Sequence, residues 1–146
     1  MSVQLFHVGI KALCKNNKGQ YLVLEVNPEH FRIKQESHWD IPGGRIEEGE
    51  SVDTTLLREV KEELGIDITS EASFFTAVVS NIKLPHGDSD EVGLVLMVYT
   101  VTLPEDAVIV LSEENLRYEW VSANEAAKRL AFKYPKEFTE RLVTND

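Results

Sequence analysis

One cysteine, two methionines and two tryptophans occur in 146 residues, and basic side chains number 15 against 25 acidic ones. A lone Cys14 cannot close an internal disulfide, which excludes a small cross-linked secreted fold and fits a reducing compartment. Its apolar surroundings suit an inert core thiol. The basic deficit gives a formal net charge of −10, which argues against nonspecific binding to DNA, RNA or an anionic membrane. A phosphorylated small molecule stays compatible, because a bound metal ion inverts the local field. The longest apolar run, residues 92–101, is too short to span a bilayer and contains a glycine. No basic region followed by an apolar run opens the chain, so no secretory signal is expected and the compartment expected is the cytoplasm. His7, His30, His38 and His86 are scattered, without zinc-ligand spacing.

No linker, repeat or low-complexity stretch divides the sequence, so residues 1–146 are expected to form one domain with a proper core. Residues 6–14 and 21–26 read as strands, and Asn16-Asn17-Lys18-Gly19 between them suits a hairpin turn. Residues 27–38 read as a polar loop, and Trp39-Asp40-Ile41-Pro42 as a short extended piece. Residues 74–81 and 91–103 read as strands joined by the polar loop 83–90, and residues 118–121 as a short strand. Ser122, with Glu125 three residues on, forms the pattern of a capping box for a helix reaching about Phe132. Residues 135–142 suit a last short helix with proline in its first turn. Strands on both sides of a central helix, with more helix at the end, imply an α/β fold whose sheet is covered on both faces.

That central helix is where chemistry concentrates. Ser51 suits the N-cap, Asp53 the positive end of the dipole, and Gly65 the C-cap. Leu57, Val60 and Leu64 are the expected buried stripe, with Glu59, Glu62 and Glu63 to one side of it. Residues three and four apart are neighbours on a helix surface, so these carboxylates crowd together. Like charges crowd unfavourably unless a cation sits among them, and oxygen-only ligands suit Mg2+ or Mn2+. The Pro42-Gly43-Gly44 turn just upstream can bring backbone close to such an ion and its ligand. Metal-assisted attack on a phosphate is the chemistry implied. Residues 44–51 imitate the glycine spacing of a P-loop, but Glu50 stands where lysine is required and would repel a triphosphate.

Residue by residue, the segment resembles the Nudix box of the Nudix hydrolases. Gly44, Glu50, Arg58, Glu59, Val60, Glu62, Glu63, Gly65 and Ile66 fill that pattern without a departure, and the preceding Trp39-Asp40-Ile41-Pro42-Gly43 extends it. The resemblance implies an α/β/α sandwich, with a mixed curved sheet carrying the box helix on one face and the C-terminal helices on the other. It implies that Glu59, Glu62 and Glu63 bind metal, with the Gly43 carbonyl completing the shell. Arg58 and Glu50 match an ion pair that orients those ligands, and Arg58 stands four residues from Glu62, within reach of a bidentate grip.

An additional acid, as ligand or base, is implied in a later loop. Glu114 matches best by its spacing to Trp120, and Glu91 competes. Arg32 and Lys34 are candidates for neutralising substrate phosphate, and Trp39, Phe31 and Tyr99 for stacking on a base, against the plainer reading of buried aromatics. Gly44 is a candidate for close backbone approach to substrate. The function implied is Mg2+- or Mn2+-dependent hydrolysis of a phosphoanhydride bond. The MutT-like branch points to a nucleoside triphosphate, oxidised forms included, with ADP-ribose or a nucleotide-sugar as the alternative substrate. A nucleotide sensor without turnover is the alternative of a different class. The expected partner is a nucleotide-type small molecule, with neither nucleic acid nor membrane, on a monomer or homodimer.

Overall fold

The computed structural model describes residues 2–30, 37–68, 72–86 and 89–144, and the side chains of these except at 86 and 89–91. The chain opens with β1 (Phe6–Lys15) and β2 (Tyr21–Val26). Asn16 makes the turn between them: its side-chain oxygen accepts from the Lys18 and Gln20 amides at 3.0 and 2.9 Å, and Gly19 takes a φ of +75°. The left-handed region favours glycine there because a Cβ would crowd the following carbonyl.

β1 meets β2 at Lys15 opposite Tyr21, and toward its N-terminal end takes other partners. On one side it runs parallel to β7 (Ser89–Thr102), from Phe6 opposite Gly93 to Lys15 opposite Thr102. On the other it pairs with β4 (Gly43–Arg45), while β2 pairs with β3 (Trp39–Asp40) and β8 (Asn115–Val121). β5 (Ser73–Val79) and β6 (Leu84–His86) add antiparallel to β7. The result is a mixed sheet, not a closed barrel, flanked by three helices. The change of partner between β1 and β2 leaves room for the glycine turn that carries the site.

Alternation along the strands divides the core into two layers. Ile10, Ala12 and Cys14 of β1 and Leu22 and Leu24 of β2 pack with Leu56, Val60 and Leu64 of α1 (Val52–Leu64). Leu13 and Val23 face the other way, toward α2 (Ala123–Leu130) and α3 (Lys136–Thr144), where Ala126, Leu130, Phe138 and Leu142 are fully buried. Truncating one such leucine to alanine costs about 2–5 kcal/mol. Cys14 belongs to the first layer, and burial above all pushes its thiol up to about 12, so it is inert as expected.

The stripe on α1 differs from the one expected. Leu57 is 47% exposed, and Leu56 takes the core position beside Val60 and Leu64. At 100° per residue, Leu56 falls on the side of Val60 that also carries Glu63, whereas Leu57 is turned toward solvent. Ser51 caps the helix reciprocally, accepting from the Thr54 amide at 3.1 Å while its own amide donates to the Thr54 hydroxyl at 2.9 Å; Gly65 closes it at φ +71°. At α2 only half of the expected box forms. Ser122 accepts from the Glu125 amide at 3.2 Å, but the Glu125 carboxylate takes Arg129 at 3.0 Å instead, and α2 ends at Leu130. The expected loop 83–90 contains β6, and the last strand starts at Asn115, three residues before its expected start. Among the described residues no helix is long and apolar enough to cross a membrane.

Candidate active site

α1 turns Glu59 and Glu63 inward, one helical turn apart, and both are buried. They meet the glycine turn: the Gly43 amide donates to Glu63 Oε2, and a Cβ on Gly44 would land inside the Glu59 carboxylate. Gly43 has a φ of +145°, and a side chain there would strike the Ile10 carbonyl and come within 2.7 Å of Lys11 Cα. Glycine at both positions is therefore a requirement of close approach between β4, β1 and α1. Asn115, buried at the start of β8, donates to Glu63 Oε1 at 3.4 Å.

Arg58 organises the outer side of this pair. Its Nε and Nη2 grip both oxygens of Glu50 at 2.7 and 2.9 Å, and its Nη1 reaches Glu59 at 2.8 Å and Glu62 at 3.3 Å. Nη2 also donates to the Arg45 carbonyl at 3.3 Å, which ties the loop after β4 to the helix. The fork holds Glu59 in one rotamer. The Arg58 hydrogen bonds bring the Glu50 carboxyl down to about 2, with the Glu47 amide helping. Glu63 moves the other way: burial pushes it up to about 8, opposed by Lys11 and the Gly43 amide and reinforced by Glu59 and Asp40. Burial also raises Glu59, against the pull of Arg58. Glu59 and Glu63 are thus two desolvated carboxylates side by side, an arrangement that a cation would relieve.

A third group lies on the floor, where Lys11 of β1, Asp40 of β3 and Lys133 and Tyr134 after α2 converge. Asp40 Oδ2 receives Lys133 at 2.6 Å and Lys11 at 3.3 Å; Oδ1 receives the Tyr134 hydroxyl at 2.7 Å and the Ile41 amide at 2.8 Å. Burial alone would raise the Asp40 carboxyl, but the two ammoniums and the hydrogen bonds hold it well below the usual range. Burial lowers Lys133 and Asp40 opposes it. Carboxylates, glycine turn and floor all line one cleft of about 1270 Å³, whose remaining wall includes Ile82, Leu84, Leu94 and Leu96.

A model of the NUDIX domain matches residues 5–142. The chain belongs to the Nudix family. It is 43% identical over 60 residues to Nudix hydrolase 5 of Arabidopsis thaliana, covering 41% of this chain and 19% of that protein. It is 29% identical over 69 residues to an 8-oxo-dGTP diphosphatase of Proteus vulgaris, covering 47% of this chain and 58% of that one. The chain thus spans less than two thirds of the length of these relatives. A MutT protein structure from Methanosarcina mazei superposes with a TM-score of 0.73 at 26% identity, over 99% of this chain and 95% of that one.

Gly43, Gly44, Glu50, Arg58, Glu59 and Glu63 come together. Glu62 does not join them in the cleft: its side chain is 57% exposed and turns to Arg58. Residues four apart return to one helix face, whereas 62 falls on the solvent side of 59. Glu114 lines the cleft mouth just before β8, 48% exposed, with His30 Nε2 3.6 Å from its carboxylate. Trp39 is no platform. The guanidiniums of Arg117 and Arg129 lie 5.1 and 4.5 Å from its ring centroid, and it packs on the α2–α3 layer. Tyr99 packs edge-on against Phe74 at 5.5 Å, away from the cleft. Phe31, Arg32, Lys34 and the Glu91 side chain lie outside the described residues.

Sequence reasoning passed over Lys11, Asp40, Asn115, Lys133 and Tyr134. Lys11 left a signal, as a lone charge inside an apolar strand, which burial requires to be paired.

The donor set fits a hard divalent ion. Among the described residues no group of three His, Cys, Asp or Glu side chains is arranged to hold a metal ion. Glu59 and Glu63 supply oxygen only, and Mg2+ commonly takes one or two carboxylates and leaves other positions to water and phosphate.

Proposed function

We propose that this chain hydrolyses a phosphoanhydride bond of a nucleoside triphosphate, oxidised forms included, giving the monophosphate and pyrophosphate with Mg2+ or Mn2+. The observation that carries the reading is the buried Glu59–Glu63 pair against Gly43 and Gly44 at one end of a cleft of nucleotide size. Glu59 and Glu63 would hold the ion, with Glu62 close by in reserve. When bound, the ion neutralises the diphosphate and acidifies a coordinated water. Arg58 keeps Glu59 oriented and Glu50 keeps Arg58 oriented, so the carboxylate pair would hold the ion where negative charge develops on the phosphate oxygens. Glu114, exposed where it lines the cleft, would take the proton of an attacking water. Gly44, without a side chain, would let its own main chain come close to the substrate.

The relatives support a phosphate-ester or anhydride substrate, among them the Proteus vulgaris diphosphatase and a nucleoside triphosphatase of Klebsiella pneumoniae. A second reading is ADP-ribose or a nucleotide-sugar, which a cleft of this volume would also admit. A panel of normal and oxidised nucleoside triphosphates, ADP-ribose and nucleotide-sugars with Mg2+ separates them. Phosphate is read after added pyrophosphatase for the triphosphates, and after added alkaline phosphatase for the others. Pyrophosphate from a triphosphate, abolished by chelator, is expected. Turnover restricted to ADP-ribose would select the second reading, and tight binding without turnover would make the chain a sensor.

A further inference from the structure

The floor of the cleft carries charged groups for which the hydrolytic reading above has no use, and their hydrogen-bond capacity can be counted. A carboxylate offers about four lone-pair sites, and those of Asp40 are taken by Lys11, Lys133, the Tyr134 hydroxyl and the Ile41 amide. Asp40 has nothing left to accept with. Each lysine has given one N–H to Asp40 at 3.3 and 2.6 Å and retains two, and an ammonium accepts nothing. Within this cluster two ammoniums share one carboxylate, with Glu63 within electrostatic reach of both. The side chains are only 5% and 13% exposed, so the remaining N–H groups have little access to solvent except through the cleft.

Lys133 is also fixed in place. Its carbonyl accepts from the Ser80 hydroxyl at 2.7 Å and from the Asn81 amide at 2.9 Å, which locks the turn after α2 onto the end of β5. Ile82, Leu94 and Leu96 line the same cleft. Gly9, across from them, keeps the floor low, since a Cβ there would come within 3.1 Å of Leu96. An apolar surface edged by the lysine donors, beside an Asp40 whose acceptor sites are filled, suits the flat, ring-bearing part of a ligand whose rim offers carbonyl oxygen.

We infer that Lys11 and Lys133, clamped by Asp40, are specificity determinants that select a base presenting a carbonyl acceptor over one presenting an exocyclic amine at the same position. The inference rests on the reading that the cleft holds a nucleotide. An amino edge meets two N–H rows head-on and finds no acceptor on Asp40, so both sides of the contact lose their hydrogen bonds.

Inosine and adenosine triphosphates differ at the 6-position in this respect, and uridine and cytidine triphosphates at the 4-position. With the full chain and Mg2+, kcat/KM is expected to favour inosine over adenosine and uridine over cytidine by at least about tenfold, as a site built to hydrogen-bond rejects the analogue that cannot. Lys133→Met should lower the carbonyl-bearing substrates and leave the amino-bearing ones nearly unchanged. Lys133→Gln, which can both donate and accept, should bring each pair within about threefold. Thermal melts check that both variants fold, and the wild-type ratios stand as a test if either does not. Ratios near one in the wild type overturn the inference while leaving the hydrolytic reading intact. So does an equal loss on all four substrates in Lys133→Met, which would put that ammonium on phosphate. No turnover of any triphosphate overturns both readings.

Discussion

Replacing Glu63 by glutamine should stabilise the metal-free protein at the same time as it removes the ion's grip. In the folded chain the Glu63 carboxyl is pushed up to about 8 from an ordinary 4.5, first by burial. A carboxyl raised in the folded state holds its proton there more tightly than in the unfolded chain. Its favourable contribution is complete below about 4.5 and is lost as pH rises through about 8. At about 1.36 kcal/mol per pH unit of separation, the gap between 4.5 and about 8 bounds that loss at roughly 5 kcal/mol. Local opening that rehydrates the carboxylate limits the share felt in global unfolding, to on the order of 2–4 kcal/mol. For a domain of this size, about 3 °C per kcal/mol gives a difference in Tm of roughly 6–12 °C. Glutamine keeps the shape, still accepts from the Gly43 amide, and carries no charge to desolvate.

Melts of both proteins in chelator, from pH 5 to pH 9, isolate the effect, because Glu59 and every other titrating group are common to the two curves. The difference should be small at pH 5, grow in favour of Glu63→Gln, and level off above pH 8. Adding Mg2+ should then raise the wild-type Tm and close the gap, with little response from the variant, since a ligand stabilises only the state that binds it. A difference that is flat with pH, or a variant less stable than wild type at pH 8 without metal, would refute the claim that Glu63 is a buried carboxylate awaiting a cation.

Arg58→Ala should lower turnover about 10–100-fold by freeing Glu59, the usual effect of losing an orienting partner; unchanged kinetics would end the positioning role. Glu114→Gln should lower kcat and flatten the alkaline-going limb of the pH–rate profile, with Mg2+ affinity from the Tm shift nearly intact if it is a base and reduced if it is a ligand. Gly44→Ala should displace Glu59 and weaken Mg2+ binding while the chain still folds, because its backbone is not in the left-handed region and the clash is with a side chain. Retained Mg2+ affinity in that variant would show that Glu59 is not a ligand.

The order of elements was legible because each carried a local signal: Asn16 and Gly19 at the hairpin, Ser51 and Gly65 at the ends of α1, Ser122 before α2. What failed locally failed for tertiary reasons. Leu57 and Leu56 are equally apolar and adjacent, and only the direction in which the sheet approaches α1 decides which is buried. β4 and β6 are three-residue strands that exist because β1 and β7 offer them an edge, and their own sequences, Gly-Gly-Arg and Leu-Pro-His, have no strand pattern. The glutamate trio was read as a crowd because helix spacing treats three and four apart alike; burial separates Glu59 and Glu63 from Glu62. Trp39 looked like a base platform because nothing in the sequence near it announces Arg117 and Arg129.

The cationic floor shows a deeper limit of reading charge from composition. A net charge of −10 suggested that a bound metal would have to invert the field before any phosphate could approach. Yet Lys11, Asp40 and Lys133, from β1, β3 and the turn after α2, already bring two ammoniums and one carboxylate to the floor of the cleft, within electrostatic reach of Glu63. Composition averages over a surface on which most acids are solvated and screened, whereas a site is set by a few groups from which water is removed. Lys11 also bears on both halves, since it donates to Asp40 and lowers Glu63 through space. The charge that keeps the carboxylate pair tolerable without metal is thus supplied by the same strand that forms the recognition floor. Removing it should disturb both ends of the cleft, whereas removing Lys133, which also feels Glu63, should disturb the carboxylate end less.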